Sequence, residues 1–154
     1  MTATRIDIPS ADESTQEYWD AARRGVLLIK RCAACTKPHF YPRPFCPYCW
    51  STDVHWEEAS GRAVLYTYSI VRRNDLAPFT DRVPYVAGIV DLAEGPRAMT
   101  DIVEVGLDDV HIGMELQATF VEIAPGATVP MFRPAAWSSA RPRRAEPLKP
   151  SFLY

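Results

Sequence analysis

Apolar and polar residues keep different rhythms along the chain. Near the start, "STQEYWDAARR" (14–24) puts Tyr18, Trp19 and Ala22 on one stripe at helical spacing. Ser14 and Glu17 form a predicted capping box, each satisfying the other's free backbone N–H, and Gly25 supplies the stop. The stripe of so short a helix either packs on its own domain or docks on a partner. "VLLIK" (26–30) then reads as a strand. From Trp56 onward strand patterns take over. "AVLYTYSIV" (63–71) and "YVAGIVDL" (85–92) are rich in β-branched and aromatic residues. "RAMTDIVEV" (97–105) and "ELQATFVEI" (115–123) alternate apolar with polar, as a sheet with one wet face does, and "MFRP" (131–134) adds a short last strand. Turn chemistry fills the breaks: "ASG" at 59–61, "EGP" at 94–96, "IGM" at 112–114 and "APG" at 124–126. Five strands in about 75 residues predict a small OB-type Greek-key barrel.

Between helix and barrel the alternation stops. "KRCAACTKPHFYPRPFCPYCW" (30–50) holds all four cysteines of the 154-residue chain. Cys32 and Cys35 form one CxxC, Cys46 and Cys49 a second, with ten residues between the pairs. Each CxxC lets two thiolates converge from one tight knuckle, and two knuckles complete a tetrahedral sulfur shell. That chemistry favours Zn²⁺ over a redox pair or an iron–sulfur site. Four thiolates leave no coordination position for water, so the metal is expected to be structural. His39, between the knuckles, reads as an exposed loop histidine; His55 and His111 are isolated. No GxSxG, HExxH or glycine-rich phosphate loop occurs, and no catalytic residue is assigned.

Fourteen prolines against seven glycines change the picture of the ribbon. Four of them lie in "KPHFYPRPFCPY", where fixed φ angles lower the entropy lost on folding. A ribbon this small has almost no core, so metal and stiff turns must replace one. Phe40, Tyr41, Phe45, Tyr48 and Trp50 are too many aromatics to bury inside it; some are expected on the barrel and some on a partner.

Charge then separates two functions that ribbons and barrels both serve. Residues 57–133 carry twelve acids against six arginines and no lysine, whereas ribbon residues 26–56 and tail residues 134–154 each carry four bases against one acid. A barrel that tracks phosphates should be basic, so single-stranded nucleic-acid binding is disfavoured. No run of about 18 apolar residues offers a membrane span, and "MTATRIDIPSADE" lacks a signal-peptide apolar region. A cytoplasmic protein with reduced thiols is expected.

The ordered set "EYWDAARRGVLLIKRC", "CAACTKPHFYPRPFCPYC", "WEEASGRAVLYTYSIV", "VPYVAGIVDLAEGPRAMTDIV" and "IGMELQATF" resembles an acyl-CoA-associated family, long catalogued as a domain of unknown function. That family joins an N-terminal helix and a rubredoxin-like zinc ribbon to an OB-fold. Thr36 departs from it, standing where a glycine commonly follows the first pair, and the tail runs past the usual end of the barrel. The resemblance implies a mainly β protein: residues 1–25 with the helix, 26–56 the ribbon, 57–134 the barrel and 135–154 a flexible tail. It further implies an accessory subunit in a hetero-oligomer with a thiolase-like or sterol-carrier-protein-type aldolase protein. Such a subunit stabilises its partner and shapes the acyl-CoA channel, with a bulky acyl side chain as substrate. If a CoA ester touches this chain, Arg72 and Arg73 at a strand end are the candidate ligands; the other reading is a solvated loop edge. The rival function is an independent acyl-CoA-binding or hydrolysing protein. In the tail, Trp137 near the start, Phe152, Leu153 and Tyr154 at the end, and Arg141, Arg143 and Arg144 between them suit wrapping on a partner, the other reading being a loose end.

Overall fold

The computed structural model describes residues 8–135. Of the segment expected to form a tail, all but Ala135 lies outside the described residues, and so do residues 1–7.

Helix α1 (Gln16–Arg23) begins later than a box on Ser14 requires: Thr15 is its N-cap residue, with no side-chain cap. Asp12 is the reason. Its carboxylate accepts the Ser14 and Thr15 amides at 3.0 and 2.9 Å and both their hydroxyls at 2.7 and 2.8 Å. An Asx turn therefore precedes the helix and occupies the groups a box would use. At the other end Gly25 takes φ 77°, and the Gly25 and Val26 amides donate to the carbonyls of Ala22 and Ala21, each at 3.0 Å. Those two bonds close a Schellman motif. The helical stripe turns inward: Tyr18, Ala21 and Ala22 are buried.

A small antiparallel sheet follows, built from β1 (Leu28–Cys32), β2 (Pro38–His39) and β3 (Val54–Glu58) in the order β2-β1-β3. The remaining strands are β4 (Arg62–Val71), β5 (Tyr85–Leu92), β6 (Arg97–Ile102), β7 (Glu115–Ala124) and β8 (Ala127–Pro134). They close in the order β4-β5-β6-β8-β7, the Greek-key order of an OB barrel. The fold is thus the expected mainly β one, helix, then ribbon, then barrel. β5 shows the underlying rule most plainly: Val86, Gly88, Val90 and Leu92 are buried and the residues between them are not. Gly88 is small of necessity, because a Cβ there would stand 3.1 Å from both Leu65 and Ile102. β6 stops short of the predicted Val105, since Glu104 takes φ 55°. β8 is longer than "MFRP" suggested because Ala124–Ala127 closes a hairpin with β7.

The barrel has a weak seam. β6 pairs with β5 along its whole length but with β8 only at Ile102–Phe132. Helix, ribbon and barrel nevertheless share one core, which runs from Tyr18 and Ala21 through Leu27 and Ile29 to Leu65, Val90, Leu116 and Phe132. Among the described residues no helix is long and apolar enough to cross a membrane.

Candidate metal centre and apolar groove

The two knuckles bring Cys32, Cys35, Cys46 and Cys49 together, their sulfurs all within 4.8 Å of one another. Cys32–Cys49 and Cys35–Cys46 are each 3.6 Å apart. A tetrahedron with Zn–S bonds of about 2.3 Å has edges of about 3.8 Å, so the thiols already stand at zinc spacing. Four thiols this close cannot all ionise without a cation. For Cys46 burial opposes ionisation, but amide donors at Tyr48 and Cys49 and the neighbouring thiols bring it down to about 7. For Cys49 the Ser51 amide favours the thiolate, yet lost solvation and three adjacent thiols push it up to about 12. A divalent cation would remove that conflict.

Backbone geometry explains the knuckles. In each, the residue after the second cysteine is left-handed: Thr36 at φ 61° and Trp50 at φ 64°. Each also donates its amide to the carbonyl of the first cysteine, Thr36 to Cys32 at 2.9 Å and Trp50 to Cys46 at 3.0 Å. This is why glycine is common after the pair and why Thr36 is a departure. Thr36 is held by its own hydroxyl, which donates to the Cys35 carbonyl at 2.7 Å, and by Arg31, which donates to the Thr36 carbonyl at 2.6 Å. The same guanidinium forms a forked pair with Glu57 on β3, so Arg31 ties the first knuckle to two strands. Sequence reading missed Arg31, because nothing local marks a cross-strand pair of residues 26 apart.

The reading of His39 is corrected. It is only 5% exposed, because β2 folds it back against β1 opposite Lys30. Neither ring nitrogen has a hydrogen-bond partner among the described residues. Burial, aided by the charges of Lys30 and Arg43, holds its pKa below the ordinary histidine value. His55 is exposed on β3; His111 is exposed, with Nδ1 2.9 Å from the Asp109 carbonyl.

Ribbon aromatics divide as their number required. Phe40 packs edge-on to Tyr18, which also stacks near Trp56, joining ribbon to helix. Trp50, stacked on Phe45, is 74% exposed, and Tyr41 and Tyr48 are more than half exposed. Arg72 and Arg73 both lie exposed past the end of β4, and Arg73 makes a forked pair with Asp75 at 3.2 Å. Neither lines a groove described here.

A groove of about 300 Å³ opens at the β6–β8 seam. Tyr18, Trp19, Phe40, Met99, Val129 and Phe132 are among the residues that line it. Across Val129 and Pro130 lies a smaller hollow of about 210 Å³ containing Arg82 and Asp101, which are paired at 2.7 Å. Burial raises the Asp101 carboxyl pKa even though Arg82 opposes it.

Comparison with known proteins agrees with this architecture. The family described as the ChsH2 rubredoxin-like zinc ribbon domain matches residues 19–55, and the ChsH2 C-terminal OB-fold domain matches residues 56–121. A probable enoyl-CoA hydratase alpha subunit of Thermomonospora curvata is 35% identical over 82% of this chain, which spans 39% of that relative. A DUF35 domain-containing scaffold protein of Methanocaldococcus jannaschii is 38% identical over 73% of this chain and 80% of its own. A solved chain of the Ltp2-ChsH2(DUF35) aldolase superposes with a TM-score of 0.73 at 35% identity, covering 82% of this chain and 98% of that one. The chain belongs to the ChsH2/DUF35 family of zinc-ribbon and OB-fold proteins.

Proposed function

We propose that this protein is the non-catalytic accessory subunit of a thiolase-fold acyl-CoA enzyme, a retro-aldolase or thiolase acting in the cytoplasm on a bulky acyl-CoA. The observation that carries the reading is the near-complete overlap with the ChsH2(DUF35) chain of an aldolase. The hydratase alpha subunit among the relatives supports acyl-CoA chemistry in the partner. In this reading Cys32, Cys35, Cys46 and Cys49 hold one structural Zn²⁺, which supplies folding energy and no open coordination site. Trp50, Tyr48 and Tyr41 give the ribbon an exposed aromatic face for the partner. Large aromatics that stay wet on a monomer are the residues most often central to interfaces. Arg72 and Arg73 are the groups offered to a CoA phosphate or a partner carboxylate, at the cost of opening the Arg73–Asp75 pair. Carbon–carbon bond cleavage belongs to the partner's residues.

The test is reconstitution. The zinc-loaded chain is mixed with a thiolase-fold aldolase subunit, and cleavage of a β-hydroxyacyl-CoA is followed for each chain alone and for the mixture. A stable hetero-oligomer with turnover in the mixture, and none from this chain alone, is expected. Turnover of acyl-CoA esters by this chain alone would favour the rival reading of an independent acyl-CoA hydrolase. Failure to associate with any thiolase-fold subunit would remove the accessory role.

A further inference from the structure

The groove at the β6–β8 seam combines an apolar lining with one buried hydroxyl that has no partner. Tyr18, Trp19 and Phe40 form its aromatic wall, and Met99, 69% exposed, lies at its edge. None of the side chains that line it carries a charge. Four carry hydroxyls: Thr15, Tyr18, Tyr41 and Thr100. The threonines are already engaged, Thr15 donating to the Asp12 carboxylate at 2.8 Å and Thr100 to the Asp101 carbonyl at 3.2 Å. Tyr41 is more than half exposed, so water satisfies it. Tyr18 differs. It is only 7% exposed, and its hydroxyl has no hydrogen-bond partner among the described residues. Unlike the His39 nitrogens, that hydroxyl is not sealed inside the protein. Burial first, and then the Tyr41 phenol on the same groove, push its pKa up, so it stays a protonated donor. A phenol held in so apolar a place is unsatisfied until an acceptor enters.

We propose that this groove binds one small, neutral, apolar group bearing a single carbonyl, whose oxygen accepts the hydrogen bond of the Tyr18 hydroxyl. Size agrees: about 300 Å³ lies at the lower end of ligand pockets, which run from about 300 to 1,000 Å³. Charge selects the neutral form. The lining holds no cation, and residues 57–133 carry twelve acids against six arginines. A carboxylate or phosphate would lose its hydration there and gain no partner. The walls disfavour an added strand, because Pro42 and Pro130 present no amide to one, although β6 meets β8 only at Ile102. Met99 is unbranched and flexible, which suits the mouth to occupants of varied shape. Two sources carry this chemistry: the acyl end of a thioester presented by the partner enzyme, and a free apolar ketone. The first rests on the accessory-subunit reading, and the second does not.

Amide NMR titration of the full, zinc-loaded chain tests it with three probes of similar shape: benzylacetone, butylbenzene and hydrocinnamate. Benzylacetone should shift Ala98, Met99, Thr100 and Val129, and hydrocinnamate should bind at least about tenfold more weakly. Tyr18→Phe keeps the ring and removes the hydroxyl. It should weaken benzylacetone about two- to tenfold and leave butylbenzene unchanged or tighter, because only the ketone loses a bond. Met99→Lys, at an exposed position, should weaken ketone and hydrocarbon alike and narrow the gap to the carboxylate. Hydrocinnamoyl-CoA separates the sources: shifts at the same amides assign the acyl end of a thioester, and their absence assigns the free ketone. The probes are read on this chain alone, so a failed reconstitution with an aldolase leaves them standing. Equal effects of Tyr18→Phe on ketone and hydrocarbon would overturn the proposal. So would tighter binding of the carboxylate, shifts confined to other residues, or no shifts at all. Shifts of the same amides with protein concentration alone would assign the groove to a second copy and overturn it. Protection of those amides by a thiolase-fold subunit, with benzylacetone displaced, would overturn it in favour of a partner strand.

Discussion

From Cys32 to Asp53 the chain buries two thiols and one histidine and no aliphatic side chain, whereas from Ala63 to Phe132 it buries twelve hydrophobic residues. The first stretch cannot be held by apolar burial, and the second needs nothing else. Its short strands, stiff prolines and left-handed knuckle residues position four thiols and depend on what those thiols bind. The barrel closes a hydrogen-bond ladder around a packed interior. Ile29 and Leu28 on β1, and Phe40 beside Tyr18, are where the two regimes meet. A metal site on a ribbon anchored to a rigid barrel can therefore be lost without losing the barrel.

The sharpest way to break this comparison is to remove the ion. Chelation, or Cys46→Ser, should collapse residues 32–53 and leave β4 to β8 folded. Apparent binding energies of structural zinc are about 10 kcal/mol or more, and none of that is replaced by core. Amide NMR read region by region checks it: ribbon signals should collapse to random-coil positions while barrel signals stay dispersed. Metal analysis should first give one zinc per chain. Loss of both sets together would show that ribbon and barrel are one cooperative unit.

The reverse experiment acts on the barrel. Leu65 is fully buried, stands opposite Val90 on β5, and shares the core with Leu116. Leu65→Ala should cost about 2–5 kcal/mol, the lost transfer energy plus the cavity left behind. The melting temperature should fall by about 4–20 °C, yet zinc content per folded chain should stay at one. A fall in zinc content without loss of barrel signals would contradict the division.

Much of this division was legible before any coordinates. β-branched and aromatic enrichment marked β4 and β5, period-two alternation marked β6 and β7, and cysteine spacing marked the four thiols that stand together. What stayed hidden was set by distant residues. His39 looked exposed because its burial comes from pairing with β1, which no local pattern encodes. The Ser14–Glu17 box was a sound local motif beaten by another one, the Asp12 turn two residues upstream. The groove could not be read at all, since it arises where β6 and β8 fail to pair.

Left-handed positions sharpen the comparison on the ribbon side. A non-glycine residue in that region costs about 1–2 kcal/mol, more for a β-branched one. Thr36→Gly should therefore stabilise the zinc-bound ribbon by about 1 kcal/mol, the lost hydroxyl bond to the Cys35 carbonyl offsetting part of the gain. Trp50→Gly relieves the same strain but removes the stack on Phe45, worth about 0.5–1.5 kcal/mol, so its stability should hardly change. Affinity for the partner should separate the two. If Trp50 is retained for docking, Trp50→Gly weakens the complex by tenfold or more while Thr36→Gly leaves it intact. Equal affinities would take Trp50 out of the interface. Denaturation of the ribbon and titration of the partner read the two effects independently.

The smallest expected effect is a slope, and it belongs to His39. Unfolded, this imidazole titrates near pH 6.5. Folded, burial first, then the Lys30 and Arg43 charges, lower its pKa. Between those two values the unfolded chain binds the extra proton, so stability rises with pH there. The stability tied to keeping His39 neutral is complete above about pH 6.5 and is lost as pH falls toward the folded value. Thiolate ligands also protonate in acid, so the wild-type slope alone is ambiguous. His39→Leu isolates the histidine: it keeps a side chain of similar bulk, removes two buried nitrogens that lack partners, and cannot titrate. Replacing an unsatisfied polar group by an apolar one of similar shape is near neutral or stabilising. Denaturant melts of both zinc-loaded proteins between about pH 8 and pH 5 should give curves that differ by a constant above pH 6.5. Below it they should diverge, with wild type falling faster. Parallel curves throughout would mean that His39 keeps its ordinary pKa, either through a partner on its ring nitrogens or through a ribbon that opens enough to admit water.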